Sequence, residues 1–116
     1  MEPFKSRLFR GDKRLAACLV DNAKHVKQGD QGPHVAKIQC AVLMLKGGFF
    51  DGQEAAQMRY GPTTAKAVLA YKTRRRIINF SYQRRADDIV GKMTMRALDE
   101  EMAVAELQDS FNHVRT

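Results

Sequence analysis

One short phrase occurs twice in this chain, and its repetition constrains the fold more than any other feature. The first copy is Tyr60-Gly61-Pro62-Thr63-Thr64-Ala65-Lys66-Ala67-Val68 and the second is Val90-Gly91-Lys92-Met93-Thr94-Met95-Arg96-Ala97-Leu98. Both read apolar-Gly-x-x-Thr-x-x-Ala-aliphatic, so one supersecondary plan is used twice. The glycine allows a sharp turn and is tolerated as a helix N-cap. Pro62 suits a first helical position, where its missing N–H costs nothing. Thr64 and Thr94 fall in the first turn, where a hydroxyl meets unpaired backbone groups. Ala67-Val68 and Ala97-Leu98 then supply close contact and buried surface.

The rest of the chain reads as further helices. Asp12 is an N-cap for a helix carrying Leu15, Cys18 and Leu19, which ends near Asp21-Asn22. His25 to Gly29 reads as a short extended connector, and Asp30 as the next N-cap. Val35, Ile38, Ala41, Val42 and Leu45 recur at steps of three and four, an amphipathic helix stopped by Lys46-Gly47-Gly48. Gln53 to Arg59 is a short helical insert. The helix from Gly61 carries Ala67, Val68 and Tyr71 toward Ile77-Ile78. The last helix starts at Gly91 and carries Met95, Leu98 and Met102. Its pattern continues through Val104, Leu107, Phe111 and Val114, a seam expected to pack on the domain itself or on a partner helix. Asp99-Glu100-Glu101 reads as an acidic solvent face. No strand-like alternation is present.

These elements predict an all-α chain. Residues 1–11 form an irregular lead-in, 12–102 a single domain and 103–116 a C-terminal helical extension. The length of 116 residues suits one hydrophobic core. No stretch approaches a membrane span, and the charged N-terminus has no apolar core of a signal peptide behind it. The expectation is a protein cytoplasmic at synthesis, acting there, at the cell envelope, after export without a leader, or as part of a larger chain. Cys18 and Cys40 each sit among apolar residues, so buried thiols are expected, with a disulfide between helices as the alternative in an oxidising compartment. His25, His34 and His113 are scattered, and no metal-ligand spacing exists. The carboxylate pairs Asp51/Glu54, Asp87/Asp88 and Glu100/Glu101 lack a nearby His or an apolar setting that would split their pKa values. Neither a phosphate loop nor a nucleophile–base pair is present. The sequence thus points away from an enzyme, a cofactor or a metal.

Three segments together resemble a known family. Val26-Lys27-Gln28-Gly29-Asp30-Gln31-Gly32-Pro33-His34-Val35-Ala36-Lys37-Ile38-Gln39 is similar to the opening of the small three-helix peptidoglycan-binding domains of bacteria. Tyr60 to Lys72 resembles that family's Phe-Gly-Pro-x-Thr-x-x-Ala-Val-x-x-Phe-Gln, and Asp87 to Leu98 its closing Asp-Gly-x-Val-Gly-x-x-Thr-x-x-Ala-Leu. The segments fall in family order. The chain departs at Lys72 (usually Gln), Asp88 (Gly), Met95 (often Trp) and Arg76-Ile77 (Gly-Leu), and its connector from Ile78 to Ala86 is long. The resemblance implies a compact three-helix peptidoglycan-binding-like bundle, here with an extra N-terminal helix. It also implies a non-catalytic module that binds peptidoglycan or its fragments. Such a module targets an attached or partner cell-wall enzyme or an exported effector, with a cell-wall hydrolase or a secretion-system protein as its expected protein partner.

A glycan strand with its peptide stem offers hydroxyls, amides and free carboxylates, so its site needs aromatic faces, amides and cations. Tyr60, Tyr71 and Tyr82 offer faces, Gln39, Asn79 and Gln83 amides, and Arg74, Arg75 and Arg84 cations. The ligand-binding set is therefore Gln39, Tyr71, Arg74, Arg75, Asn79, Tyr82, Gln83 and Arg84. Competing readings place Tyr60 and Tyr71 in the core and make Gln39 a brace for a loop. The run Lys72-Thr73-Arg74-Arg75-Arg76, with Arg84-Arg85, is a basic patch on a chain of formal charge +7. It suits an anionic polymer, or else a solvated face. A protein-interaction adaptor using the same fold is the alternative function. Nucleic-acid binding, with Phe80 and Tyr82 between the basic clusters, ranks below both.

Overall fold

The connector between the first two helices organises the molecule, because its backbone pairs with both copies of the repeated phrase. In the computed structural model, which describes residues 2–45, 49–78 and 85–115, Val26 exchanges both backbone hydrogen bonds with Val90 (2.9 and 2.8 Å). A few residues on, Gly29 N–H donates to the Tyr60 carbonyl (3.0 Å), Tyr60 N–H to Asp30 (2.8 Å) and Gly32 N–H to Met58 (2.9 Å). The apolar residue leading each phrase, Tyr60 or Val90, is fully buried. Thus one extended segment staples two helix starts that lie far apart in sequence.

Five helices form around that staple: α1 Lys13–Cys18, α2 Pro33–Met44, α3 Gly52–Ala56, α4 Pro62–Arg75 and α5 Lys92–Arg115. A 3₁₀ turn, Asn22–Lys24, follows α1. Among the described residues there is no strand, only the isolated bridges Val26–Val90 and Gln31–Arg59. Asp12 caps α1 by accepting from Leu15 N–H (2.9 Å), as its position predicts. Asp21 does not end that helix, which stops at Cys18; instead its side chain caps the 3₁₀ turn. Asp30 does not cap α2. Gly32 does, with Pro33 at the first helical position, while the Asp30 carboxylate turns back to Lys27 N–H (2.9 Å). The two extra residues carry Tyr60 N–H to the Asp30 carbonyl before the helix begins.

The core is a single cluster. Val35, Ile38, Ala41 and Val42 from α2 meet Ala65, Ala67, Val68 and Tyr71 from α4 and Met95, Leu98 and Met102 from α5. α2 packs against both α4 and α5, and α1 against α5. At roughly 1.5–3 kcal/mol per buried large apolar side chain, this face is the main stabilising element of the globule.

The N-terminal lead-in is wound into turns and belongs to the core: Phe4 and Phe9 are buried, with ring centroids 5.7 Å apart. Asp99 corrects the expectation of an acidic solvent face. It is buried and accepts from the backbone N–H of Lys5 (3.0 Å) and Ser6 (2.8 Å). Glu106 continues the clamp through Ser6 Oγ (2.6 Å), Arg7 N–H (2.8 Å) and Leu8 N–H (3.1 Å). The continued apolar spacing of α5 does not pack back on the domain at its described positions, since Val104 is 55% and Leu107 71% exposed. The lead-in is held by Asp99 and Glu106 of that helix instead. Of the thiols, Cys18 is buried and Cys40 is exposed; neither is in a disulfide. Burial pushes the Cys18 thiol up to about 11.

Candidate functional site

The two helix starts share a sequence plan but are completed differently. At α4, Glu54 of α3 turns its carboxylate onto the helix N-terminus. It accepts from the backbone N–H of Gly61 (3.1 Å), Thr63 (3.1 Å) and Thr64 (2.9 Å), and from the hydroxyls of Thr63 (2.5 Å) and Thr64 (2.8 Å). Orphan N–H groups and the helix dipole make such a position favourable for an anion. Burial alone would raise the Glu54 carboxyl; the hydrogen bonds from Thr63 and Thr64 outweigh it and hold the group at about 2. Gly61 is required here, because a Cβ would lie 2.6 Å from the Glu54 carboxyl carbon. The Thr64 hydroxyl therefore serves Glu54 rather than the backbone.

At α5 the His25 ring takes the corresponding place, and beside it lies a cavity of about 400 Å³. Lys72, Asp87, His25, Lys92 and Thr94 line it, with an apolar wall that includes Ile77 and Met93. Lys72 arrives from α4 and is only 5% exposed. Its ammonium donates to Asp87 Oδ1 (2.6 Å) and to the Ile89 carbonyl (2.7 Å). A buried amine is tolerated because both partners compensate its lost hydration. His25 packs on Gly91, 3.2 Å from where a Cβ would stand, and its Nε2 is enclosed without a hydrogen-bond partner. No side chain among the described residues caps the amides of Met93 and Thr94.

The sequence-derived residues distribute as follows. Asn79, Tyr82, Gln83 and Arg84 lie outside the described residues. Gln39 is buried, its amide donating to the Arg59 carbonyl and to Thr64 Oγ1 (3.0 Å each), so it braces the α4 opening. Tyr71 is fully buried, with its hydroxyl donating to Glu101. Arg75 lies over the Tyr71 ring (4.0 Å to the centroid) and donates through Nε to Glu101 (2.6 Å). Burial would raise the Glu101 carboxyl, but the hydrogen bonds from Arg75 and Tyr71 hold it below the usual carboxylate range. Tyr71 and Arg75 are therefore joined to one another and tie α4 to α5, apart from the lining of the cavity. Tyr60 is in the core, its hydroxyl donating to the Asp88 carbonyl. Arg74 is exposed on the last turn of α4.

Sequence reasoning did not single out Lys72, His25 or Lys92 as site residues. Lys72 was visible as a departure after an aromatic and as the first residue of the basic run, and Lys92 as the residue standing where the first copy has Pro62. His25 carries no local signal. Among the described residues, no group of three or more His, Cys, Asp or Glu side chains is placed to hold a metal, and no helix is long and apolar enough to cross a membrane. Compared with protein-family models, curated proteins and solved structures, the chain matches none.

Proposed function

We propose that this chain is a non-catalytic binding module for peptidoglycan, built as a three-helix peptidoglycan-binding-like bundle with an added N-terminal helix and a C-terminal extension. The reading draws on the family-like segments in family order. The observation that carries it is the cavity where the second and third of those segments meet. Lys72 ends one segment, Asp87 and Gly91 belong to the other, and the space between them is walled by the Lys72–Asp87 pair, the exposed Lys92 and apolar side chains. Such a wall suits a ligand that alternates carboxylates, amides and apolar side chains, as a wall peptide on its glycan does. The formal charge of +7 favours concentration on an anionic polymer. The module would direct an attached or partner cell-wall enzyme, or an exported effector, to its substrate.

Co-sedimentation with purified sacculi tests this. The full chain should pellet with sacculi at moderate salt. Retention on DNA with a steep salt slope, and none on sacculi, would overturn the reading in favour of nucleic acid. A second reading, a protein-interaction adaptor, rests on the uncovered Val104 and Leu107 of α5. It is favoured if L107S abolishes capture of a partner while sacculi never retain the chain.

A further inference from the structure

We infer that the cavity at the start of α5 is a carboxylate subsite that takes the free carboxyl end of a wall peptide. The identity of the ligand rests on the peptidoglycan reading; the chemistry of the subsite rests on the protein's own duplicated opening. The α4 opening shows how this Gly-x-x-Thr turn treats a carboxylate: three amides and two hydroxyls close on Glu54. The α5 opening repeats the glycine and the second threonine, Gly91 and Thr94, and the carboxylate that lines its cavity, Asp87, accepts from Lys72 and from the Ile89 amide.

Three substitutions within the phrase and its surroundings favour an incoming anion. Pro62, which has no N–H, becomes Lys92, which adds an amide and an exposed ammonium at the first helical position. The His25 ring, not a carboxylate, stands against Gly91 where Glu54 stands against Gly61, and the cavity beside it has in its wall the Lys72 ammonium, partnered by Asp87 and the Ile89 carbonyl. His25, another wall residue, keeps an enclosed Nε2 without a partner. α5 is 24 residues long, so its N-terminal dipole is fully developed. Asp87 also lines the cavity and sets the charge of the occupant. It is paired with Lys72, and beside it a monoanionic carboxylate is accommodated better than a dianionic phosphate. Met93, Ile77 and Ile89 then face the apolar part of the terminal residue.

The experiment uses the full chain, labelled with ¹⁵N, and two probes: N-acetyl-D-alanyl-D-alanine with a free carboxylate, and the same peptide as its C-terminal amide. The carboxylate form should shift the amides of Lys92, Met93 and Thr94 in a saturable way and leave those of Thr63 and Thr64 in place, because Glu54 already fills the first opening. The amide form should bind at least tenfold more weakly. K92E should reduce affinity for the carboxylate at least tenfold, whereas K66E, the same charge change on α4, should leave it within twofold. Equal binding of the two forms, shifts confined to other regions, or tighter binding of inorganic phosphate than of the carboxylate would each overturn the inference. Sacculi that retain the chain while neither peptide binds would overturn the subsite and leave the peptidoglycan reading standing. Selective shifts at Lys92 to Thr94 without retention on sacculi would do the reverse.

Discussion

The openings of α4 and α5 are two copies of one phrase with opposite fates. At α4 the helix N-terminus is closed from within by Glu54, which five hydrogen bonds hold in the anionic form. At α5 the same turn borders a cavity with an ammonium in its wall. The lesson is that a helix start can be closed from within or left beside an open cavity, and that the phrase itself does not decide which. The decision is made by what another segment brings: α3 delivers a carboxylate to Gly61, while the connector delivers an imidazole to Gly91.

The largest effect that sharpens this contrast is removal of the internal carboxylate. Glu54→Ala leaves amides and hydroxyls of a buried turn without an acceptor, and should destabilise the protein by about 3–5 kcal/mol in urea unfolding. Comparable stability in E54A and the parent would erase the proposed difference between the openings. Acid offers the next test. The folded-state pKa of Glu54, about 2, lies below its unfolded value, so the unfolded chain binds more protons between these limits. The Glu54 contribution is complete above the ordinary carboxylate range near 4.5 and is lost as pH falls toward 2. It amounts to roughly 3 kcal/mol, and E54Q should flatten that part of the stability–pH curve.

Paired glycine replacements come third. Gly61→Ala forces a Cβ to within 2.6 Å of the Glu54 carboxyl carbon and should cost about 2 kcal/mol or more, while Gly91→Ala meets only the His25 ring at 3.2 Å and should cost less than about 1 kcal/mol. Equal losses in thermal or denaturant unfolding would break the comparison. The smallest effects are expected at exposed positions. Lys92→Gln at the open start and Leu107→Ser on the uncovered side of α5 should each change stability by less than about 0.5 kcal/mol. A large loss at Leu107 would mean that α5 is covered in the protein's working state.

Much of this fold was legible from residue order because it depends on local rules. Both Gly-to-Thr helix starts, the Asp12 cap, the apolar stripe of α2 and the burial of Met95, Leu98 and Met102 follow from period and capping, which act within a turn or two of chain. The misplaced readings share a different cause. Asp99 and Glu101 look like solvent-facing acids along α5, but their partners, the Lys5–Ser6 backbone and the Tyr71–Arg75 pair, come from distant segments. The Asp30 cap was displaced by backbone pairing with Tyr60, which no local rule contains.

The amino-acid order alone therefore determined an all-α chain with two matched helix starts and a cationic character, since helix capping, periodicity and charge are properties of neighbouring residues. Only the tertiary structure decided that one start is sealed by Glu54 while the other opens between Lys72, His25 and Lys92. These side chains come from different segments of the chain. A site assembled by long-range packing has no spacing in the sequence, because burial and the hydrogen bonds that compensate it are set only when those segments meet.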